Sequence, residues 1–258
     1  MSACNAARSN EYGTIIVVGG GCYGTYYVRQ LRRAASAGAI AARSVIVVDR
    51  DPQCAIASGV DTEPTASGEL PVRVDVRDWT DFFGDYLEHG AMEPDAVGTD
   101  AIVPSPLMPH LMGHWLVARA RARWPDRSVE TAPFDRPPRV PWERAGRDGT
   151  HYVSFATWTC PVNCIEPRIC PVTRGIRDWS LPVRLAEHAA EGDHTGPGVE
   201  SAVLHCTHRA YGVGMFDTVT VIDADRRIAA AGAHGPAEVI IGTVSHCHGA
   251  LTRLVIGA

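Results

Sequence analysis

Strand-length apolar runs alternate with helical periodicity through the first half of the chain, and that alternation constrains the fold more than any other feature. The runs lie at residues 14–18, 44–49, 70–76 and 100–103, and helical spacing marks 23–37, 79–89 and 109–124, with a short helix at 51–58. Apolar runs without polar alternation are buried on both faces, and parallel neighbours need a crossover between them. The order strand, helix, four times over, therefore predicts an α/β fold with a parallel sheet and helices on both of its faces.

The first run opens into a glycine loop: residues 14–31 read TIIVVGGGCYGTYYVRQL. Gly19, Gly21 and Gly24 form G-x-G-x-x-G directly after a predicted strand and before a predicted helix, the context that gives this pattern meaning. The first glycine permits the tight turn, and the second lets a pyrophosphate approach the backbone. The third lets helix and strand pack closely, with the helix N-terminus facing the anion. Asp49 ends the second run, where an acid accepts hydrogen bonds from a ribose.

These residues resemble the NAD(P)-binding Rossmann superfamily, and the VVDRDP run is similar to the NAD-binding domains of potassium-transport regulators of the TrkA type. The resemblance covers residues 13–125 and implies NAD binding by Gly19, Gly21, Cys22, Tyr23, Gly24, Asp49 and Arg50. Asp49 disfavours a 2′-phosphate. S-adenosylmethionine is the alternative ligand, because its folds use the same loop and acid. Cys22, inside the loop, is either a small space-filling residue or a reactive thiol at the helix N-terminus. The expected architecture is a Rossmann-like domain at 1–134 and a cysteine-rich portion at 135–258 that extends the sheet or forms a small second domain.

In the second half, residues 135–149 are rich in proline and arginine and read as a connecting loop. Strands are expected at 151–156, 200–206 and 238–244, helices at 182–190 and 216–231, a glycine-rich turn at 192–198 and a short helix after 244. Between them, TCPVNCIEPRICPVTR (159–174) places Cys160, Cys164 and Cys170 at C-x3-C-x5-C spacing. Pro161 and Pro171 each follow a cysteine, so the chain turns around these sulfurs. Three crowded thiols without a secretory context point to a metal.

The Cys-Pro and Cys-Ile-Glu-Pro elements resemble ferredoxin-type cluster loops, although the spacing departs from C-x2-C-x2-C-x3-C-P. The resemblance implies a [4Fe-4S] cluster, with zinc as the alternative. The fourth ligand is expected from LHCTHR (204–209) or SHCHG (245–249), as Cys206 or Cys247, and His246 or His248 is a candidate proton donor. With three cysteines only, one iron stays open to act as a Lewis acid. His110 and His114 share a helix face without an acidic companion in the H-E-x-x-H manner, and read as packing residues. Trp158 and Trp179 flank the cysteine loop, and Arg168, Arg174 and Arg177 lie on it.

A net charge of −5 over 258 residues argues against a nucleic-acid or anionic-membrane partner. No apolar run reaches membrane-spanning or signal-peptide length, so a cytoplasmic location is expected. The function expected is an NAD-linked oxidoreductase with an iron–sulfur cluster near the dinucleotide, a small-molecule substrate and an electron-transfer partner. A non-redox lyase or transferase with an open-iron cluster, or a redox or NAD sensor, are the alternatives.

Overall fold

The computed structural model describes residues 10–58, 69–146, 148–161, 164–191 and 199–258. In chain order the elements are β1 (Glu11–Val18), α1 (Cys22–Ser36), β2 (Ala41–Asp49), α2 (Ala55–Ser58), β3 (Val72–Val76), α3 (Trp79–Met92), β4 (Ala101–Val103) and α4 (Leu111–Arg123). They continue as β5 (Val129–Ala132), β6 (Trp142–Ala145), β7 (His151–Ser154), α5 (Leu181–Ala190), β8 (Val199–His205), β9 (Thr207–Ala210), β10 (Val213–Asp217), α6 (Thr218–Gly232), β11 (Ala237–Val244) and β12 (His248–Ile256).

The fold is mixed α/β with two mixed sheets. The first has the order β3-β2-β1-β4-β10-β9, and its first four strands are parallel. β10 then joins β4 antiparallel and β9 pairs with β10. The second runs β6-β7-β12-β11-β8, with β5 also on β12. The long strand β12 pairs β7 through its first half and β5 through its second. The strands expected at 151–156, 200–206 and 238–244 all lie in the second sheet, whereas β9 and β10, which no sequence pattern singled out, extend the first.

Three apolar layers hold the sheets and helices. The central core lies between the two sheets and collects Phe82, Phe83 and Leu87 of α3, Trp115 and Leu116 of α4, and Val221 and Ile228 of α6. These pack against Ile16, Ile46, Ile102 and Phe216 of the first sheet and Leu204, Val239, Ile241 and Leu254 of the second. On the far face of the first sheet, Val28 and Leu31 of α1 cover Val17, Val47 and Met215. On the far face of the second, Leu181 and Leu185 of α5 cover Val153, Val244 and Leu251. Leu116 is fully buried, so Leu116→Ala is expected to cost roughly 2–5 kcal/mol.

A buried carboxylate ties the first sheet to the central helices. Asp100 accepts hydrogen bonds from the Thr14 amide (2.6 Å) and the Tyr86 hydroxyl (2.7 Å), and its own carbonyl accepts the Thr218 amide that opens α6 (2.9 Å).

Two expectations are corrected. The segment after residue 244 is not a short helix but strand β12, whose Leu251, Leu254 and Ile256 are buried on the second sheet. Its β-branched and leucine run was short enough to be read either way; pairing with β11 decides it. The 135–149 segment is not wholly loop, because Trp142–Ala145 form an edge strand with all four residues exposed, so no buried pattern marks it. The glycine-rich turn expected at 192–198 lies outside the described residues. Among the described residues, no helix is long and apolar enough to cross a membrane.

Candidate functional site

β1 feeds directly into the glycine loop. Gly19 stands at φ +89, the left-handed region that favours glycine, and its amide donates to the Val48 carbonyl at 2.9 Å. A Cβ on Gly24 would collide with the Gly19 carbonyl oxygen, so α1 packs on the loop more closely than any side chain permits. Gly21 is the N-cap of α1, and a Cβ there would meet nothing within 4 Å. The first turn of α1 has no acidic residue, and no side chain caps its N-terminal amides.

Asp49 organises this loop. One carboxylate oxygen accepts the Gly20 amide at 2.6 Å and the other the Asp51 amide at 2.9 Å. Cys22 begins α1 and is exposed rather than space-filling. Tyr23 packs its ring against Tyr27 at 6.5 Å, and the Arg50 guanidinium lies over the Trp79 ring at 5.6 Å.

The cysteine loop is irregular and closes on itself. The Cys170 amide donates to the Gly175 carbonyl (2.9 Å) and the Arg174 amide to the Cys170 carbonyl (2.8 Å), with Arg174 at φ +58. Hydrogen bonds from the Thr173 amide and hydroxyl, aided by the Val172 amide and Arg177, hold the Cys170 thiol below its ordinary range. Burial pushes the Cys160 thiol up, and Cys164, Cys170 and Glu166 add to the effect. Around them Ile165, Ile169, Val172 and Ile176 are exposed.

The key to the loop is Glu166, which the sequence reading passed over. Its carboxylate accepts Ser245 Oγ (2.6 Å), the His246 amide (2.9 Å) and the Cys247 amide (3.0 Å), all in the turn between β11 and β12. Burial raises its pKa, but these donors outweigh burial and hold the carboxyl below its usual range. Arg177 fixes the other side of the residue by donating to the Glu166 carbonyl at 2.7 Å. Glu166 itself sits at φ +51, so this clamp holds a backbone conformation that L-residues seldom adopt. The clue in the sequence is a single acid, in CIEPR, among the crowded thiols.

The clamped turn distributes the remaining candidates. His246 pairs Nδ1 with Ser180 Oγ at 3.0 Å and packs edge-on against the His205 ring at 4.7 Å. Trp179 Nε1 donates to Cys247 Sγ at 3.3 Å, and Trp158 packs edge-on against Trp179. Burial pushes the Cys247 and Cys206 thiols up to about 12, with Glu166 contributing to both. His248 Nδ1 lies 2.9 Å from Ser154 Oγ, whose hydroxyl also reaches the Ala156 carbonyl at 2.8 Å. If that hydroxyl proton goes to Ala156, His248 carries its own proton on Nδ1 and keeps Nε2 as an acceptor. Burial holds His208, His246 and His248 below the ordinary imidazole range, with Glu166 opposing in each case.

Of these groups, Cys206, His208, Ser245 and His248 line a cavity of about 450 Å³, whereas His246, Cys247, Glu166, the three loop cysteines, Gly19, Gly24 and Asp49 are not on its walls. Its walls include Tyr27 of α1, Ser105 just past β4, Cys206 and His208 past β8, and Ser245 and His248 at the β11–β12 turn. The carboxyl ends of β4, β8 and β11 thus converge on one hollow. Burial pushes the Tyr27 hydroxyl up to about 12, with Cys206, on the wall of the same cavity, the next largest influence.

Fold and site together define a mixed α/β protein of two sheets with a cleft where strands of both end. Residues 112–257, more than half of the chain, match the family model AF_1314_C, described as "Uncharacterized protein, C-terminal domain"; the chain belongs to that family. Comparison with curated proteins and with solved structures returns no match.

Proposed function

We propose that this protein is an NAD-linked oxidoreductase, with a Rossmann-like unit holding the dinucleotide and the cysteine loop holding an iron–sulfur cluster. The observation that carries the reading is the shared cavity: Tyr27, on the helix that the glycine loop opens, faces Cys206, His208 and His248, and Ser245 on the same wall is clamped to the cysteine loop by Glu166. A volume of about 450 Å³ suits a small-molecule substrate.

Donors of the right chemistry for both groups are present. The tight Gly19–Gly24 contact and uncapped α1 suit a pyrophosphate, with Asp49 at the end of β2 for a ribose, and the parallel order β3-β2-β1-β4 supports a Rossmann-like unit. Cys160, Cys164 and Cys170 lie on one turning loop, and amides directed at the Cys170 sulfur favour the thiolate that an iron needs. The dinucleotide would supply hydride chemistry and the cluster one-electron or Lewis-acid chemistry. The chain itself contributes an open, largely apolar hollow, a His248 Nε2 able to take or give a proton, and exposed isoleucines on the cysteine loop for an electron-transfer partner.

A second reading has its own support. Cys247 accepts the Trp179 indole and Cys206 opens on the cavity beside Tyr27, so neither is needed to complete the cysteine loop. A cluster with three cysteine ligands and one open iron would suit a lyase or transferase.

Iron and acid-labile sulfide on protein purified without oxygen test the reading. About four irons per chain, lost in Cys170→Ser, are expected, together with NAD binding by equilibrium dialysis. Colourless protein carrying one zinc would remove the redox mechanism. A cluster spectrum that shifts with a small metabolite but not with NAD would favour the open-iron reading.

A further inference from the structure

A second constellation lies outside the cleft chemistry. His110 caps α4, His114 follows one turn later, and Asp148 comes from the turn between β6 and β7. One ligand atom from each of the three lies within 4.8 Å of the others. The sequence showed only the histidine pair; the carboxylate arrives from another element. We propose that His110, His114 and Asp148 form a binding site for a divalent first-row transition metal ion.

Four observations support this. His110 Nδ1 is buried and has no hydrogen-bond partner among the described residues. It stands 3.8 Å from Asp148 Oδ2, too far for a hydrogen bond but close to the ~3–4 Å that separates two ligands each about 2.1 Å from one metal. The two rings lie with centroids 4.7 Å apart on one helix face, so small side-chain rotations turn a nitrogen of each to one point.

Asp148 is also held in place for this role. Its oxygens accept the Thr150 amide (3.1 Å) and hydroxyl (3.0 Å), which orient the carboxylate. Gly146 makes room for it, because a Cβ there would stand 2.7 Å from Asp148 Oδ1.

Two imidazoles and one carboxylate select the ion. Calcium and magnesium prefer all-oxygen shells and copper(I) prefers sulfur, whereas zinc, iron(II), cobalt(II) and manganese(II) accept this set. Three protein ligands leave at least one coordination position for water or a substrate oxygen. The hollow beside Asp148 shares Trp142 and Tyr152 with the wall of the cavity described above. An exchangeable ligand on the ion would therefore sit next to that cavity.

The test is a Co2+ titration of the full chain after dialysis against a mild chelator, followed by visible absorbance. Ligand-field bands without a sulfur-to-cobalt charge-transfer band are expected from a histidine–carboxylate site. His114→Ala and Asp148→Asn should each weaken those bands' midpoint at least about tenfold, while Cys170→Ser leaves them in place. Melting temperatures of the two variants, both at exposed positions, check that the fold is retained. Ligand-field bands of unchanged affinity in both variants, or bands that disappear in Cys170→Ser, would overturn the proposal, as would failure of the parent chain to bind Co2+.

Discussion

The glycine loop and the cysteine loop are both irregular turns that carry candidate ligands, yet they are specified in opposite ways. The glycine loop is built from missing side chains. Its geometry depends on Gly19 in the left-handed region and on Gly24 packed against the Gly19 carbonyl, with Asp49 bonded to the adjacent amides. Every part lies within one strand–helix–strand unit. The cysteine loop is built from converging side chains, and its clamp crosses about eighty residues, from Glu166 to Ser245, His246 and Cys247. A site made of absences is written in a local string. One made of convergence depends on the register of a distant hairpin.

That contrast is open to attack at its strongest point. Gly24→Ala would drive a Cβ into backbone that cannot move without displacing β1 or α1, so a loss of about 3 kcal/mol or more is expected in urea unfolding. A stability within error of the parent would mean that the loop is pliable and its cradle is not fixed. Glu166→Gln asks the same of the other region. It keeps the shape but replaces an ionised acceptor facing three donors, for an expected loss of roughly 2 kcal/mol. Because the Glu166 carboxyl titrates below its unfolded value, its contribution is complete above about pH 4.3 and is lost as pH falls through the folded value. The variant should lack that acid limb.

The same contrast explains what could be read beforehand. The runs at 14–18, 44–49 and 100–103 are apolar on both faces, and the strands formed where the pattern placed them, lengthened outward by polar residues such as Glu11 and Arg43. Trp142–Ala145 and Thr207–Ala210 gave no comparable signal, because edge strands bury little and their pairing is set by the neighbour. Among the site residues, Gly24 packs against the Gly19 carbonyl, and Asp49 accepts the amide of the intervening Gly20. Cys160, Cys164 and Cys170 share one loop. Glu166 and Asp148 were invisible as ligands or clamps, since what matters in each is a contact with an element far along the chain.

A smaller effect separates the two regions by pH. Burial depresses the imidazoles of His208, His246 and His248, all around the Glu166 clamp, and of His114 and His188 elsewhere. The unfolded chain then binds protons before the folded one, so stability is full above about pH 6.5 and declines as pH falls below it. Thermal unfolding at pH 7.5 and 5.5 should show the decline, and His208→Gln should reduce it. The glycine loop contains no histidine, so NAD affinity should change less than stability over the same interval.

The smallest expected effect on stability is the most direct test of the glycine loop as a binding site. Gly21 sits at φ −76, where other residues are at ease, and a Cβ there would touch nothing within 4 Å. Gly21→Ala should therefore cost only about 0.5 kcal/mol, the difference between glycine and alanine at an N-cap. The same methyl group would occupy the open space above the first turn of α1, where a pyrophosphate must approach the backbone. Equilibrium dialysis should show NAD affinity lowered at least about tenfold in a protein of nearly unchanged stability. Gly24→Ala confounds folding with binding, whereas Gly21→Ala separates them: unaltered NAD binding in this variant would place the dinucleotide elsewhere and leave the loop as a packing device alone.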